Sequence, residues 1–165
     1  MEIGKLSIWI NENRIEDIQK YALTLSGIEY ESFIDELLHR LVTTSDNGSR
    51  NTIAIVLGDL HCDRAIEPLI ELINNPNMSH CRGTFIYALE NLNIADRLDD
   101  FIELLVTGNY EVKCMVYTLF EKQVSSMTES KKSMYIDMLK KRISETQESL
   151  ELMYELCSNV FDVEV

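Results

Sequence analysis

The sequence predicts an all-α protein, a short superhelical solenoid of antiparallel helix pairs stacked in tandem. Apolar residues recur at three- and four-residue intervals along most of the 165 residues. Only 6 Gly and 2 Pro occur, which disfavours an all-β fold with many tight turns and a disordered chain. Part of the sequence also repeats with a fixed period, as repeat arrays do. The length suits a single domain with its own core, predicted to span residues 1–165.

Residues 1–43 are predicted to contain the N-terminal helices. In residues 1–14 the short apolar segment Ile8-Trp9-Ile10 fits either a strand or a helical turn. The apolar spacing predicts a helix that starts near residue 15 and ends near Gly27, and another over residues 30–42. The polar segment TTSDNGS that follows is predicted to form the longest loop of the chain.

Residues 49–143 are predicted to form the repeats. Shifting residues 49–73 by 32 positions onto 81–105 leaves seven of 25 residues identical. Each period predicts two helices, with Asp63 and Asp96 placed to cap the second helix of each pair. A third, weaker period follows. The helices predicted across the three periods cover residues 50–60, 64–74, 79–92, 97–106, 110–124 and 134–143.

Residues 144–165 are predicted to form an acidic C-terminal capping helix and tail. They contain six acidic residues and neither Lys nor Arg. The apolar spacing over residues 146–158 predicts the helix that would close the end of the array.

The first repeat, SRNTIAIVLGDLHCDRAIEPLIELIN at residues 49–74, resembles the short HEAT-like repeat of phycobilin lyases. The second repeat departs from that pattern, and the third keeps only the apolar rhythm. The resemblance implies a HEAT- or armadillo-like solenoid whose second helices line the concave face, and it does not imply lyase activity. The matching positions are Arg50, Ala54, Leu57, Gly58, Leu60, Asp63, Arg64, Ala65, Ile66, Pro68, Leu69, Ile70 and Leu72.

Arg50 and Arg82 occupy the same position in the two aligned repeats, near the start of each first helix. A residue that recurs with the repeat suggests a recurring structural role. We therefore expect both side chains to pair with acidic groups or carbonyl groups of a neighbouring repeat.

The charge balance favours a basic protein partner. Fifteen Lys and Arg stand against 28 Asp and Glu, a net charge of −13. Such a chain repels phosphate backbones and anionic lipid, so neither nucleic acid nor a membrane is expected as a partner. Solubility alone is the alternative reason for the acidity.

No catalytic, metal or cofactor site is predicted. Glycine-rich phosphate loops and G-x-S-x-G motifs are missing from the sequence. The pairs His61-Cys62 and His80-Cys81 suggest zinc, but the helix predicted between them would hold them ~16 Å apart. The protein is therefore not expected to be an enzyme.

The compartment expected for the chain is the cytoplasm. The sequence has no apolar run of the ~18 residues that a membrane span needs, and its N-terminus does not resemble a secretory signal. Four cysteines without a CxxC pair are expected to be free thiols.

Acidic residues align between the repeats. Glu67 aligns with Asp99 and Glu71 with Glu103, and residues four apart share one helix face. On the second helices these acids are predicted to form a partner-binding stripe, with an ordinary solvated helix face as the alternative. The predicted partner-binding residues are Glu67, Glu71, Asp99, Asp100, Glu103 and Asp137.

These features together predict a protein-binding module. The specific hypothesis is an immunity protein that neutralises a cognate basic toxin, for example a nuclease, by covering its active site. This resembles the logic of bacterial toxin–immunity pairs, including those of contact-dependent growth inhibition. The alternatives are a HEAT-repeat adaptor or assembly regulator of a cytosolic complex, and a lyase-like HEAT enzyme. The oligomeric state is left open.

Overall fold

The computed structural model describes residues 3–145 and 150–163, and over these residues it is all-helical, without a strand. The chain forms two compact units, Met1–Leu92 and Asn93–Val165. Because Ile8, Trp9 and Ile10 lie within the first described helix, the helical alternative for this segment is the correct one.

The described residues of the first unit form six α-helices and two short 3-10 turns. The turns, Asp63–Ala65 and Pro76–Met78, precede α5 and α6. The helices are α1 (Ile3–Asn11), α2 (Ile15–Ala22), α3 (Gly27–Thr43), α4 (Asn47–Asp59), α5 (Ile66–Asn74) and α6 (Arg82–Leu89).

Helix α4 lies at the centre of the first unit. It packs against α1, α2, α3 and α6, while α5 packs against α3 and α6. The apolar faces predicted from the spacing form the core, with Leu37, Leu57 and Phe85 fully buried. Helices α4 and α6 approach so closely that a Cβ at Gly58 would lie 2.3 Å from the carbonyl oxygen of Ala88. Gly58 therefore permits the close contact between α4 and α6.

Two arginines tie the start of one helix to the end of the helix before it. Arg50 Nε donates to the carbonyl oxygen of Leu41 at 3.2 Å, and Arg82 Nε donates to that of Ile73 at 2.7 Å. The Arg50 guanidinium also donates to the carbonyl of Thr44. The last carbonyls of a helix lack intrahelical partners, and these arginines supply donors to them or to the chain just beyond. The expectation of carbonyl acceptors in a neighbouring repeat is confirmed for Arg82, whereas the carbonyl acceptors of Arg50 lie in and just after α3, before the predicted repeats.

In the second unit, residues 93–145 and 150–163 form five further α-helices, a 3-10 turn at Val124–Ser126 and a π-helical turn at Leu156–Val160. Its aromatic core joins Phe120 to Tyr135 and Phe161 by edge-to-face contacts, at centroid distances of 5.8 and 6.1 Å. The helices are α7 (Asp99–Ile102), α8 (Leu104–Thr107), α9 (Tyr110–Gln123), α10 (Glu129–Glu145) and α11 (Leu150–Glu155).

The predicted loop over residues 43–49 is shorter than expected. Helix α3 continues to Thr43 and α4 starts at Asn47, which leaves three connecting residues. Asp46 caps α4, because its Oδ2 accepts from the Ser49 N–H at 2.6 Å. The polar residues after Asp46 are therefore the first turn of a helix.

Both predicted aspartate caps are wrong. Asp63 lies inside a 3-10 turn, and Ala65 occupies the N-cap position of α5. Leu98 occupies that of α7, while Asp96 Oδ1 lies 3.6 Å from Lys131 Nζ.

Helix boundaries in the second repeat also differ from the prediction. The first helix starts at Arg82 rather than at residue 79. The second is interrupted at Glu103, which separates α7 from α8. The predicted start of the C-terminal helix, residues 146–149, lies outside the described residues.

Candidate functional site

Two of the predicted acidic residues lie on α5 in the first unit. Glu67 and Glu71 are exposed, and this helix buries Leu69, Ile70 and Ile73 on its other side. Glu67 has an interaction partner within the chain. The i, i+4 spacing therefore places both carboxylates on the solvated face of α5.

The other four predicted residues lie in the second unit, where two of them share a cavity. Asp99 and Glu103 line a cavity of about 410 Å³ between the segment containing α7 and helix α10. Asp137 is exposed on α10 and is not among its lining residues. The remaining lining residues are Ile102, Met138, Lys141, Arg142 and Glu145.

Internal cations neutralise part of the predicted stripe. Arg142 pairs with Glu103, and its Nη1 also lies 2.9 Å from Glu145 Oε2. Arg97 Nε lies 2.9 Å from Asp100 Oδ2. The Asp100 and Glu103 carboxylates therefore offer less negative potential to a partner than their spacing suggested.

Three exposed members of the predicted set form no ion pair among the described residues. They are Glu71, Asp99 and Asp137. In the second unit, Asp99 lines the cavity, and Asp137 presents a second exposed carboxylate from α10. These two side chains are the available anions of that unit within the predicted set.

Sequence reasoning missed the basic half of this cavity. Lys141 and Arg142 line it together with Asp99, Glu103 and Glu145, so its charge is mixed. The available signal was the local excess of basic residues, seven against four acidic ones, over residues 109–143. Sequence spacing does not show that α10 turns two of these cations toward α7.

The histidine–cysteine pairs take part in separate contacts. His61 Nδ1 lies 2.9 Å from the Asn91 carbonyl oxygen, and His80 Nε2 lies 2.6 Å from Asn47 Nδ2. Cys62 and Cys81 are buried, and burial raises the pKa of both thiols. All four cysteines are free thiols. The described part of the chain contains no group of three or more His, Cys, Asp or Glu able to hold a metal ion.

No known protein family, curated protein or solved structure gives a significant match to this chain. Within residues 3–145 and 150–163, no helix has both the length and the apolar character required to cross a membrane. The surface chemistry of the two units is therefore the basis for a proposed function.

Proposed function

We propose that this protein is a binding module for a basic protein, and specifically an immunity protein that neutralises a cognate basic toxin. The observation that carries the proposal is the net charge of −13 together with exposed carboxylates, such as Glu71, Asp99 and Asp137, that have no ion pair among the described residues. An anionic surface of this kind raises the encounter rate with a cationic partner.

The mechanism follows from the chemistry of a nuclease cleft. Such a cleft is lined with cations that bind phosphate, and carboxylates on an inhibitor can occupy the same positions. Long-range attraction accelerates association, whereas apolar contacts within the interface slow dissociation. The inhibitor then acts by excluding nucleic acid from the cleft.

The proposed architecture is a HEAT-like superhelix of helix pairs. In its favour are the matching bonds of Arg50 to Leu41 and of Arg82 to Ile73, which recur with the 32-residue period of the sequence. The packing of α4 on α6 and of α3 on α5 adds to this support, because stacked repeats join first helix to first helix and second to second.

The test begins with affinity capture from the native host and identification of the captured protein. Its association rate is then measured at several salt concentrations. The variant Glu71→Arg/Asp99→Arg/Asp137→Arg is expected to associate on the order of tenfold more slowly at low salt. The control Glu111→Arg/Glu121→Arg/Glu155→Arg makes the same change in net charge at other exposed acids.

Two results would contradict the proposal. Equal association rates for both triple variants would remove these carboxylates from the interface. A captured partner whose expression alone does not arrest growth would refute the immunity function and favour the adaptor or assembly regulator. Growth arrest that this chain relieves on co-expression is the expected result.

A further inference from the structure

The turn between α2 and α3 exposes apolar side chains in the first unit. Leu23 is 82% exposed and Ile28 is 86% exposed. Gly27 makes the turn with φ of +53°, in the left-handed region that favours glycine. Leu25 lies between them and is half-buried. We name Leu23, Leu25 and Ile28 the anchor patch.

A small cavity opens beside the anchor patch. It has a volume of about 180 Å³ and is lined by Leu25 and Ile28 together with Tyr21, Glu29 and Ser32. An open depression of about 710 Å³ adjoins it and also includes Leu25 and Ile28. The cavity suits one large apolar side chain, and the depression leaves room for the segment that carries it.

The wall of the cavity is held by aromatic packing. The Tyr21 ring lies 5.7 Å from the Trp9 ring and 5.6 Å from the Phe33 ring, between centroids. Phe33 is completely buried. A wall supported in this way does not need to be ordered on binding, which lowers the entropic cost of association.

Acidic side chains surround the anchor patch. Glu29 lines the small cavity, and Glu31 and Asp35 line the depression. Arg64 forms ion pairs with Glu31 and with Asp35, and its Nη1 lies 3.1 Å from Glu31 Oε2. Three carboxylates and this one guanidinium give the rim a formal charge of −2. The patch is therefore an apolar anchor site inside an anionic rim.

We infer that the anchor patch binds an aliphatic or aromatic side chain carried on a basic segment of the protein partner. This inference rests on the proposed function and assigns the contact that retains the partner. The charge decides between occupants, because a net charge of −13 opposes both a second copy of the chain and an anionic lipid surface. Exposed apolar patches with polar rims commonly mark protein-binding sites.

The test uses short synthetic peptides and amide chemical shifts of the full chain. The first probe is an arginine-rich peptide with one central leucine. The second has serine in place of the leucine, and the third has glutamate in place of the arginines. We expect the first probe to shift residues 21–35 and to bind more tightly than the other two.

A point variant measures the contribution of the anchor patch. Ile28→Ser is expected to weaken binding of the arginine–leucine peptide about tenfold or more. The matched control is Tyr110→Ser, at an exposed aromatic residue of the second unit, which is expected to leave binding unchanged. Because the Ile28 side chain is largely exposed, Ile28→Ser should retain the melting temperature of the wild type.

The outcomes separate this inference from the proposed function. If the arginine–leucine peptide shifts amides outside residues 21–35 and binds Ile28→Ser as tightly as the wild type, the anchor patch is not the binding site. The proposal of a basic partner then still stands. If neither arginine-containing peptide shifts any amide resonance, both the anchor patch and the proposed basic partner are wrong. The chain could instead dimerise or bind phosphatidylcholine vesicles through the anchor patch. If Ile28→Ser abolishes either of these and no peptide binds at residues 21–35, the inferred occupant is wrong.

Discussion

Arg82 Nε donates to the carbonyl oxygen of Ile73, nine residues earlier, and Arg50 makes the same bond to Leu41 across the same sequence separation. The two donors are 32 residues apart and so are the two acceptors, which matches the period of the sequence. The period therefore corresponds to a physical contact. It also extends the repeating geometry back into α3, before the predicted start of the array at residue 49.

The two arginines should contribute unequally to stability. Arg50 is only 4% exposed and donates to several acceptors, whereas Arg82 is half-buried and has one such bond to a carbonyl. We expect Arg50→Met to lower the free energy of unfolding by about 3 kcal/mol and Arg82→Met by about 1 kcal/mol, because the first leaves more buried groups unsatisfied. Urea denaturation of both variants measures this, and equal losses would contradict the difference in role.

Replacing Gly58 should disrupt the contact between α4 and α6. A methyl group there would meet the carbonyl oxygen of Ala88 at 2.3 Å, and backbone cannot move aside as a side chain can. We expect Gly58→Ala to destabilise the protein by about 1–3 kcal/mol despite the better helix propensity of alanine. The control is Gly4→Ala in α1, where a Cβ has open space. A loss of similar size in both variants would argue against the close approach.

The cap of α4 should make stability depend on pH. The hydrogen bond from the Ser49 N–H is the main cause that holds the pKa of Asp46 below the ordinary value of 3.8. The lowered pKa means that this stabilisation is fully present above pH 3.8 and is lost as the pH falls through the pKa of the folded state. Asp46→Ala should therefore lower the melting temperature at neutral pH and differ less from the wild type in acid.

Asp46→Asn separates the charge from the cap. Asparagine still accepts the hydrogen bond from the N–H of Ser49 but does not titrate. The melting temperature of Asp46→Asn should therefore not show the decrease in acid that titration of Asp46 causes in the wild type. If the melting temperatures of the wild type and Asp46→Ala differ by the same amount at neutral and acid pH, the Asp46 cap does not make stability depend on pH.

Two neighbouring carboxylates of the second unit should separate stability from binding. Glu103 is paired with Arg142, whereas exposed Asp99 shows no ion pair within the described residues. Glu103→Gln should lower the free energy of unfolding by about 0.2–1 kcal/mol, as expected for an exposed ion pair. Asp99→Asn should leave stability unchanged and slow association with the partner. Thermal denaturation and stopped-flow association measure the two effects, and a loss of stability in Asp99→Asn would contradict the assignment.

The hydroxyl of Tyr135 should stabilise the start of the second unit. It donates to the Ala95 carbonyl at 2.9 Å and accepts from the Leu98 N–H at 3.3 Å, and all three residues are buried. Tyr135→Phe removes both bonds and is expected to lower the free energy of unfolding by about 1–3 kcal/mol. Hydrogen exchange at the Leu98 amide should accelerate in the variant. Unchanged exchange would show that the hydroxyl does not protect this segment.

The helical periodicity was sufficient to predict most helices, because their apolar faces do enter the core. Leu57 and Leu89 align in the repeat and both are fully buried. The loop predicted over residues 43–49 was wrong in its extent, because this run of turn-forming residues contains the first turn of α4. The cap at Asp46 offsets the low helix propensity of Asn47 and Gly48 there.

The candidate surfaces were less accessible to sequence reasoning. The i, i+4 spacing correctly placed Glu67 and Glu71 on a solvated face, because that relation is internal to one helix. The pairing of Arg142 with Glu103 depends on packing between segments far apart in sequence. The exposure of Ile28 follows from the turn at Gly27, where the predicted helix was instead expected to end.

The arginine-to-carbonyl bond constrains chain length more than composition. One residue added or removed between Ile73 and Arg82 would rotate the guanidinium around its helix and away from its acceptor. Homologous chains are therefore expected to tolerate varied side chains in this connector while rejecting insertions and deletions. An arginine nine positions after a buried residue in the last turn of a helix is accordingly a more useful search pattern for distant relatives than residue identity along the repeat.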